Sequence, residues 1–391
     1  MKKQSESTAP PMHPLFQHGL SLIELMVAMA IGLVVSLAIF SVISVSEARK
    51  RNTTGANDMN QNGAFALYQL DQAIRSAGTG FSQQYTLTFG CAINAKNNDK
   101  AMIPPTSLPD PFSSLKASIG GAFRIAPVII SKDPNGKLSD TLIVMAGSAG
   151  YGEMPIESTS VPTASPSALH LLNTLSFSAG QQLLVAERSS DNTGSLPACL
   201  VESVDKTYSG SASTGVLPLG GKFYTAGTDK ALTSYSSNSV AINLGSTPSF
   251  QLYGVGSDNA LVAFDLLNGT TTSVDQIADG VLEMHAIYGV DQGNNGTIAW
   301  IAPTGNYAAS ALLNGSVDAG KRIAAIKAIR IGLITRSAVE DKNVVSPATL
   351  SAMFGDTDFP YVKTLNEAEQ KFRYRVLDAT IPLRNALVVN N

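Results

Sequence analysis

Glu24 stands at the mouth of a long apolar run: from Leu25 through Ser46 the chain carries no charge over 22 residues. An unpaired carboxylate in hydrocarbon costs on the order of a few kcal/mol when centrally placed, so Glu24 needs a partner. If the chain is cut between Gly19 and Leu20, the new amino terminus lies about one helical turn from Glu24. A neighbouring copy shifted along the helix then brings its ammonium against this carboxylate. The alternative is an acid that snorkels to the interface.

Other residues that could do chemistry are few. Asp291-Gln292-Gly293-Asn294-Asn295-Gly296 alternates oxygen side chains with a glycine bend, as a calcium loop does, but only Asp291 is charged and no distal bidentate Glu follows. A plain hairpin turn is therefore the expectation there. Of the 4 histidines, His13 and His18 precede the apolar run, and His170 and His285 remain in the body. His285 falls in a strand-like run and reads as a packed or edge residue rather than a base. The chain lacks His-Glu-x-x-His, Gly-x-Ser-x-Gly, a phosphate loop and Gly-x-Gly-x-x-Gly, so neither an enzyme nor a cofactor is expected. The 2 cysteines, Cys91 and Cys199, have no matching histidine spacing for a metal.

Composition bounds what these residues can serve. The 391 residues are 44% hydrophobic, which excludes a disordered chain, and 15% charged. With 27 basic and 30 acidic residues, a formal charge of −3 and no single-sign block, there is no footprint for a phosphate backbone, and nucleic acid is not an expected partner. The abundance of Ser, Thr, Asn, Gly and Ala suits an extracytoplasmic protein rich in turns.

The element that carries Glu24 must be a helix long enough to cross a bilayer. A cleaved secretory signal is the rival, but its h-region is shorter and ends at a small-x-small site, with no carboxylate at its entrance. Here the small residue, Gly19, precedes the apolar run. Gly19-Leu20-Ser21-Leu22-Ile23-Glu24-Leu25-Met26-Val27-Ala28 resembles the class III signal of type IV pilins and type II secretion pseudopilins. In that family a prepilin peptidase cuts after the glycine, the first mature residue is N-methylated, and the glutamate is the fifth mature residue. The resemblance implies cleavage between Gly19 and Leu20, N-methylation of Leu20 where Phe is usual, and an assembly contact through Glu24. A bare positive-inside count, Lys2 and Lys3 against Arg49, Lys50 and Arg51, would put the C-terminal side in the cytoplasm. The resemblance and the cysteine pair favour a cytoplasmic leader with the bulk outside.

Beyond the span, Ala66, Leu67, Leu70, Ile74 and Ala77 recur on one helical face while Gln61, Gln69, Asp71, Gln72 and Arg75 lie off it. An unbroken helix from Leu20 to Ala77 would reach roughly 87 Å, with Gly55 and Gly63 as weak points and Gly78-Thr79-Gly80 as its stop. Turn signals such as Asp133-Pro134-Asn135-Gly136 and Leu267-Asn268-Gly269 then separate strand-like runs. The better ones are 126–131, 141–146, 182–186, 240–244, 260–264, 281–290, 326–335 and 374–381. The Ser/Thr/Ala-rich stretches 158–167 and 208–214 read as surface loops.

Several fragments resemble the PilW family of minor pilins. They are Asn62 to Gly78 with Gly90-Cys91, Asp279-Gly280-Val281-Leu282-Glu283-Met284 with Tyr288-Gly289-Val290-Asp291, Ile329 to Ser337, and Thr380-Ile381-Pro382-Leu383-Arg384-Asn385. No such fragment falls in about residues 92–270. In an exported domain two thiols most often pair, which makes Cys91–Cys199 the expected disulfide, the alternative being two buried free thiols.

The expected architecture is α+β and pilin-like: a leader over residues 1–19, a membrane and filament-core half-helix over 20–46, an amphipathic half over 47–77, and an enlarged globular domain over 78–391. In that domain the helix packs on a mainly antiparallel sheet. By resemblance the chain is a minor pilin that helps initiate pilus assembly at or near the tip. Its partners would be prepilin peptidase, other major and minor pilins and the inner-membrane platform, first in the bacterial inner membrane and then at the cell surface. A type II secretion pseudopilin and a membrane-tethered adhesin or binding module are the alternatives.

Overall fold

A computed structural model describes residues 21–97, 100–133, 139–149, 154–160, 167–187, 198–210, 215–224, 235, 237–267 and 273–387. The chain divides into two compact units, Met1–Thr54 and Gly55–Asn391. One helix, α1 (Leu22–Ser76), contributes to both.

In the first unit α1 presents Leu22 to Val45 with every large apolar side chain exposed. Among the described residues it is the one helix long and apolar enough to cross a membrane. Its serines are compatible with an apolar surround. The Ser36, Ser41 and Ser44 hydroxyls donate to the carbonyls of Gly32, Ala38 and Ser41 at 2.8, 2.8 and 2.9 Å, so these donors are satisfied within the helix.

In the second unit α1 turns one stripe inward, with Met59, Gly63, Ala66, Leu70, Ile74 and Ala77 buried at three- and four-residue spacing. The helix runs unbroken through Gly63, which lies close against the sheet: an added Cβ would lie 2.7 Å from Leu377 Cδ1 and 2.9 Å from Thr335 Cγ2. The helix stops at Gly78, whose φ of 82° lies in the left-handed region that glycine enters without strain. Asn385 then ties the helix end down, donating from Nδ2 to Ala77 O at 3.0 Å and Thr79 Oγ1 at 2.8 Å.

The sheet beneath α1 has the order Ala299–Ile301, Val281–Val290, Ile326–Arg336, Tyr374–Pro382 and is antiparallel throughout. Its central strands are apolar runs because both faces are covered. α1 and the main core lie on one side, and Leu350, Met353, Phe354 and Leu365 lie on the other. A second antiparallel sheet, Asp275–Asp279, Ala260–Asp265, Ser249–Val255, Thr141–Ala146, Val128–Ser131, adjoins it. The Tyr288 hydroxyl accepts the Ile130 amide at 2.6 Å across that junction, and burial pushes the Tyr288 pKa up.

The third sheet runs Lys100–Ile103, Ile93–Asn97, Cys199–Ser203, Gln182–Glu187, Ser239–Gly245, Ile156–Glu157. Its Ile93–Asn97 and Cys199–Ser203 strands are parallel, whereas the other named strand pairs in the three sheets are antiparallel. A ribbon of Ala168–His170 with Val216–Pro218 supplies a smaller apolar cluster with Ile156, Leu183 and Leu200. The architecture is the α+β one expected, a long N-terminal helix with a domain of mainly antiparallel sheets.

Candidate functional site

Of the residues expected to act in processing and assembly, Glu24 lies in the first turn of α1. Gly19 and Leu20 fall outside the described residues, as do His13 and His18. Ser21 and Glu24 are described, and they form a reciprocal cap. The Glu24 amide donates to Ser21 Oγ at 3.2 Å, and the Ser21 amide donates to Glu24 Oε2 at 3.4 Å. Backbone bonds from the Glu24 and Leu25 amides to Ser21 O, at 3.0 and 3.2 Å, close the same turn. Carboxylate at a helix N-terminus also faces the positive end of the dipole. Oε1 has no hydrogen-bond partner among the described residues. The site can therefore hold a carboxylate in a fixed orientation on an apolar surface and offer one oxygen to a cation.

Cys91 and Cys199 form a disulfide with Cα atoms 5.7 Å apart, the pairing expected from the sequence. Both are buried. The bond lies beside the parallel pair, where Ile93 is opposite Cys199 and the Cys199 amide donates to Ala92 O at 2.7 Å. It joins the segment that follows α1 to a strand 108 positions later.

Asp291 opens the loop between Val281–Val290 and Ala299–Ile301, which is the connection of a hairpin. Its carboxylate is occupied by that loop: Oδ1 accepts the Asn295 amide at 3.1 Å and Oδ2 the Gly296 amide at 2.8 Å. Burial opposes its charge, but these amides, that of Gly293 and the Lys327 ammonium hold its pKa below the usual carboxylate range. Among the described residues no three His, Cys, Asp or Glu side chains are gathered so as to hold a metal ion.

His170 lies exposed at the end of a short strand. His285 is buried, as a packed strand residue, in a cluster that the sequence did not reveal. Its Nε2 is 3.4 Å from Glu283 Oε2 and its Nδ1 3.6 Å from Asp140 Oδ2. Tyr361 stacks on its ring at 3.9 Å between centroids. Glu283 also accepts from Tyr361 Oη at 2.7 Å and Lys363 Nζ at 2.6 Å. The cluster clamps the segment around residues 346–365 to the outer face of the sheet. The available signal was Glu283 and His285 two apart in an apolar strand, hence on one face; Asp140 and Lys363 are too remote in sequence for any local pattern to find.

Residues 16–45 match the prokaryotic N-terminal methylation motif, and residues 251–385 match PilW, the type IV pilus-assembly protein W family. No curated protein and no solved structure matches the chain. The methylation motif on an exposed apolar helix that leads into an α+β domain defines the class: this is a type IV pilin-like protein with a prepilin signal. Within that class it is PilW-like, because the PilW match spans the sheet on which α1 rests. The two matches support a type IV pilus-related pilin: the motif and the one apolar helix fit a membrane-anchored pilin, and the pilin-type matches imply interaction with other pilins and the assembly machinery and point to a structural protein.

Proposed function

We propose that the chain is a minor pilin that takes part in initiating the type IV pilus, at or near its tip. Residues 1–19 are the leader that prepilin peptidase removes after Gly19, and Leu20 is the residue then N-methylated. Residues 20–46 hold the precursor in the inner membrane as a single pass and later pack among neighbouring helices in the filament. Residues 47–77 carry the amphipathic half of the helix and 78–391 the periplasmic, then surface, domain. Glu24 meets the amino terminus of an adjacent pilin and sets the axial offset.

The observation that carries this reading is a fixed carboxylate at the entrance of an exposed apolar helix, joined to a unit as large as Gly55–Asn391. Burying that helix among others supplies cohesion at roughly 25 cal/mol per Å² of apolar surface. A domain of this size is hard to repeat at every position of a thin fibre, which favours a low-copy place at the end.

Deletion of the gene in the host is the test, with pili counted by microscopy and type II secretion assayed in parallel. Loss of surface pili and twitching with intact secretion supports the proposal. Intact pili with lost secretion would make the chain a pseudopilin, and intact pili with lost surface attachment alone would make it an adhesin.

A further inference from the structure

Past its apolar run α1 carries three consecutive basic residues, Arg49, Lys50 and Arg51, all exposed. They belong to the unit Met1–Thr54. The helix continues through them, and the Arg49 carbonyl accepts the Thr53 hydroxyl at 3.0 Å. Between Glu47 and Asp58 no other residue is charged. Glu47 stands four residues before Arg51, the spacing at which a carboxylate can neutralise one guanidinium, which leaves two positive charges in excess.

The depth of the three follows from the length of the run before them. Leu25 to Ser46 is 22 uncharged residues, about 33 Å of helix at about 1.5 Å per residue, against about 30 Å of hydrocarbon. With Glu24 at one edge of that thickness, Arg49 to Arg51 emerge at the other, in the headgroup layer. Sending three basic residues across a membrane runs against the usual bias of charge, and neither cleavage after Gly19 nor the Glu24 contact makes use of them.

Their arrangement selects the occupant. Successive residues of an α-helix are turned by about 100°, so the three side chains spread over about 200° of the circumference and share no face. A helix that meets one protein partner presents residues three and four apart. A layer of headgroups surrounds the helix on every side, and a ring of cations matches it. Anionic phospholipids supply the complementary charge as phosphodiester oxygens, which a guanidinium grips with two donors and an ammonium meets as a point charge.

We propose that Arg49, Lys50 and Arg51 form a collar that binds the phosphodiester headgroups of anionic phospholipids where α1 leaves the bilayer, fixing the depth of the helix until it is drawn into a filament. The proposal rests on the membrane-anchored reading of residues 20–46 above.

The test uses the mature chain, purified from its host and reconstituted in phosphatidylcholine vesicles. Electron spin resonance then compares trace spin-labelled phosphatidylglycerol and phosphatidylcholine held at the protein. Phosphatidylglycerol should associate more strongly, by about fivefold for each basic residue it meets, and about 1 M salt should abolish the preference. Arg49→Gln with Lys50→Gln and Arg51→Gln should abolish it too, while Arg49→Lys with Arg51→Lys, which keeps the charge, should retain it. Retention of the Cys91–Cys199 disulfide controls for folding. If the triple variant does not insert, Lys50→Gln and Arg51→Gln singly should each lower the preference, and an unchanged preference in both overturns the proposal. Equal association of the two lipids with the native chain, or a preference that survives in the triple variant, also overturns it. Loss of the triple variant from pili, with no lipid preference in the native chain, would give the collar to an acidic segment of another subunit instead. A chain that alkaline carbonate releases from membranes overturns the membrane reading and the collar with it. A membrane-integral chain that prefers phosphatidylglycerol but is absent from pili supports the collar and overturns the pilus reading alone.

Discussion

Ser21 and Glu24 hold each other across the first turn of α1, each side chain accepting the other's amide, at 3.2 and 3.4 Å. The carboxylate thus has a local role before any neighbour arrives, and the two roles are separable by mutation. Ser21→Ala removes one half of the cap at a cost of about 1 kcal/mol to the turn and keeps the charge. Glu24→Gln keeps a capping side chain and removes the charge. Both variants should insert and be cleaved after Gly19. Immunoblots of sheared pili should contain Ser21→Ala, while Glu24→Gln, like Glu24→Ala, should stay as mature protein in the inner membrane. Normal incorporation of Glu24→Gln would assign the helix cap, not the ion pair, to assembly.

Two glycines of α1 should respond in opposite directions. At Gly63 a methyl group meets Leu377 and Thr335 at under 3.0 Å, whereas at Gly55 nothing lies within 4 Å. Gly63→Ala should therefore destabilise the domain by roughly 1–3 kcal/mol through overpacking. Gly55→Ala should gain up to about 1 kcal/mol, because alanine gives up less backbone entropy in a helix. Denaturant midpoints of the two purified variants check the signs.

The same glycines show where sequence reading reached its limit. Local pattern was enough where burial on both faces makes a strand wholly apolar: Thr141–Ala146 and Val281–Val290 have the bounds their composition suggests. It was not enough where a partner outside the segment decides. Gly63 reads as a helix flaw until the sheet is seen pressing on it. Cys199–Ser203 and Ser249–Val255 went unread, the first because its buried Glu202 interrupts an apolar run. The helix Val317–Ala325 was also missed, although Ser316 caps it by accepting the Ala319 amide at 3.2 Å, a signal that was present in the sequence. The expectations for Gly19, Leu20 and Glu24 came from a short local spacing, and residues 16–45, which contain it, match the N-terminal methylation motif. The Asp140–His285–Glu283–Lys363 cluster joins one strand to two segments remote from it in sequence, and no spacing encodes it.

Removing the disulfide tests how the domain is stapled. A closed loop of 108 positions stabilises by up to about 4.7 kcal/mol in the chain-entropy model, and this one ties the segment after α1 to the third sheet. Peptide mapping without reductant should recover Cys91 joined to Cys199. Cys91→Ala with Cys199→Ala should lower the denaturant midpoint strongly while leaving the prepilin signal, and so cleavage after Gly19, unaffected. Equal stability of the double variant and the native chain would mean that the parallel pair holds without the bond.

Stability should fall at both ends of the pH scale because of Glu283 and His285. Burial raises the Glu283 pKa, but hydrogen bonds from His285, Lys363 and Tyr361 and the Lys363 charge outweigh it and hold the value down from 4.5 to about 2. A depressed carboxylate contributes stability that is present above its unfolded pKa and is lost as pH falls through the folded one, so its loss runs from 4.5 down to about 2. For His285 burial lowers the pKa, but Asp140 and Glu283 more than compensate and raise it above 6.5. The protonated ring therefore stabilises the fold below 6.5, and that contribution disappears as pH rises through the raised value. Melting temperatures measured from about pH 2 to about pH 9 should show both limbs. Lys363→Met withdraws the cation from Glu283 and raises its folded pKa toward 4.5, so the acid limb should shrink and end at higher pH, while His285→Gln should flatten the limb above 6.5. The segment around residues 346–365 is what the cluster holds down, through Tyr361 and Lys363, so its amides should gain hydrogen exchange along the same acid limb. Exchange there that is indifferent to pH after correction for the intrinsic rate would mean that the apolar contacts of Leu350, Met353, Phe354 and Leu365 hold the segment, and that the charges do not.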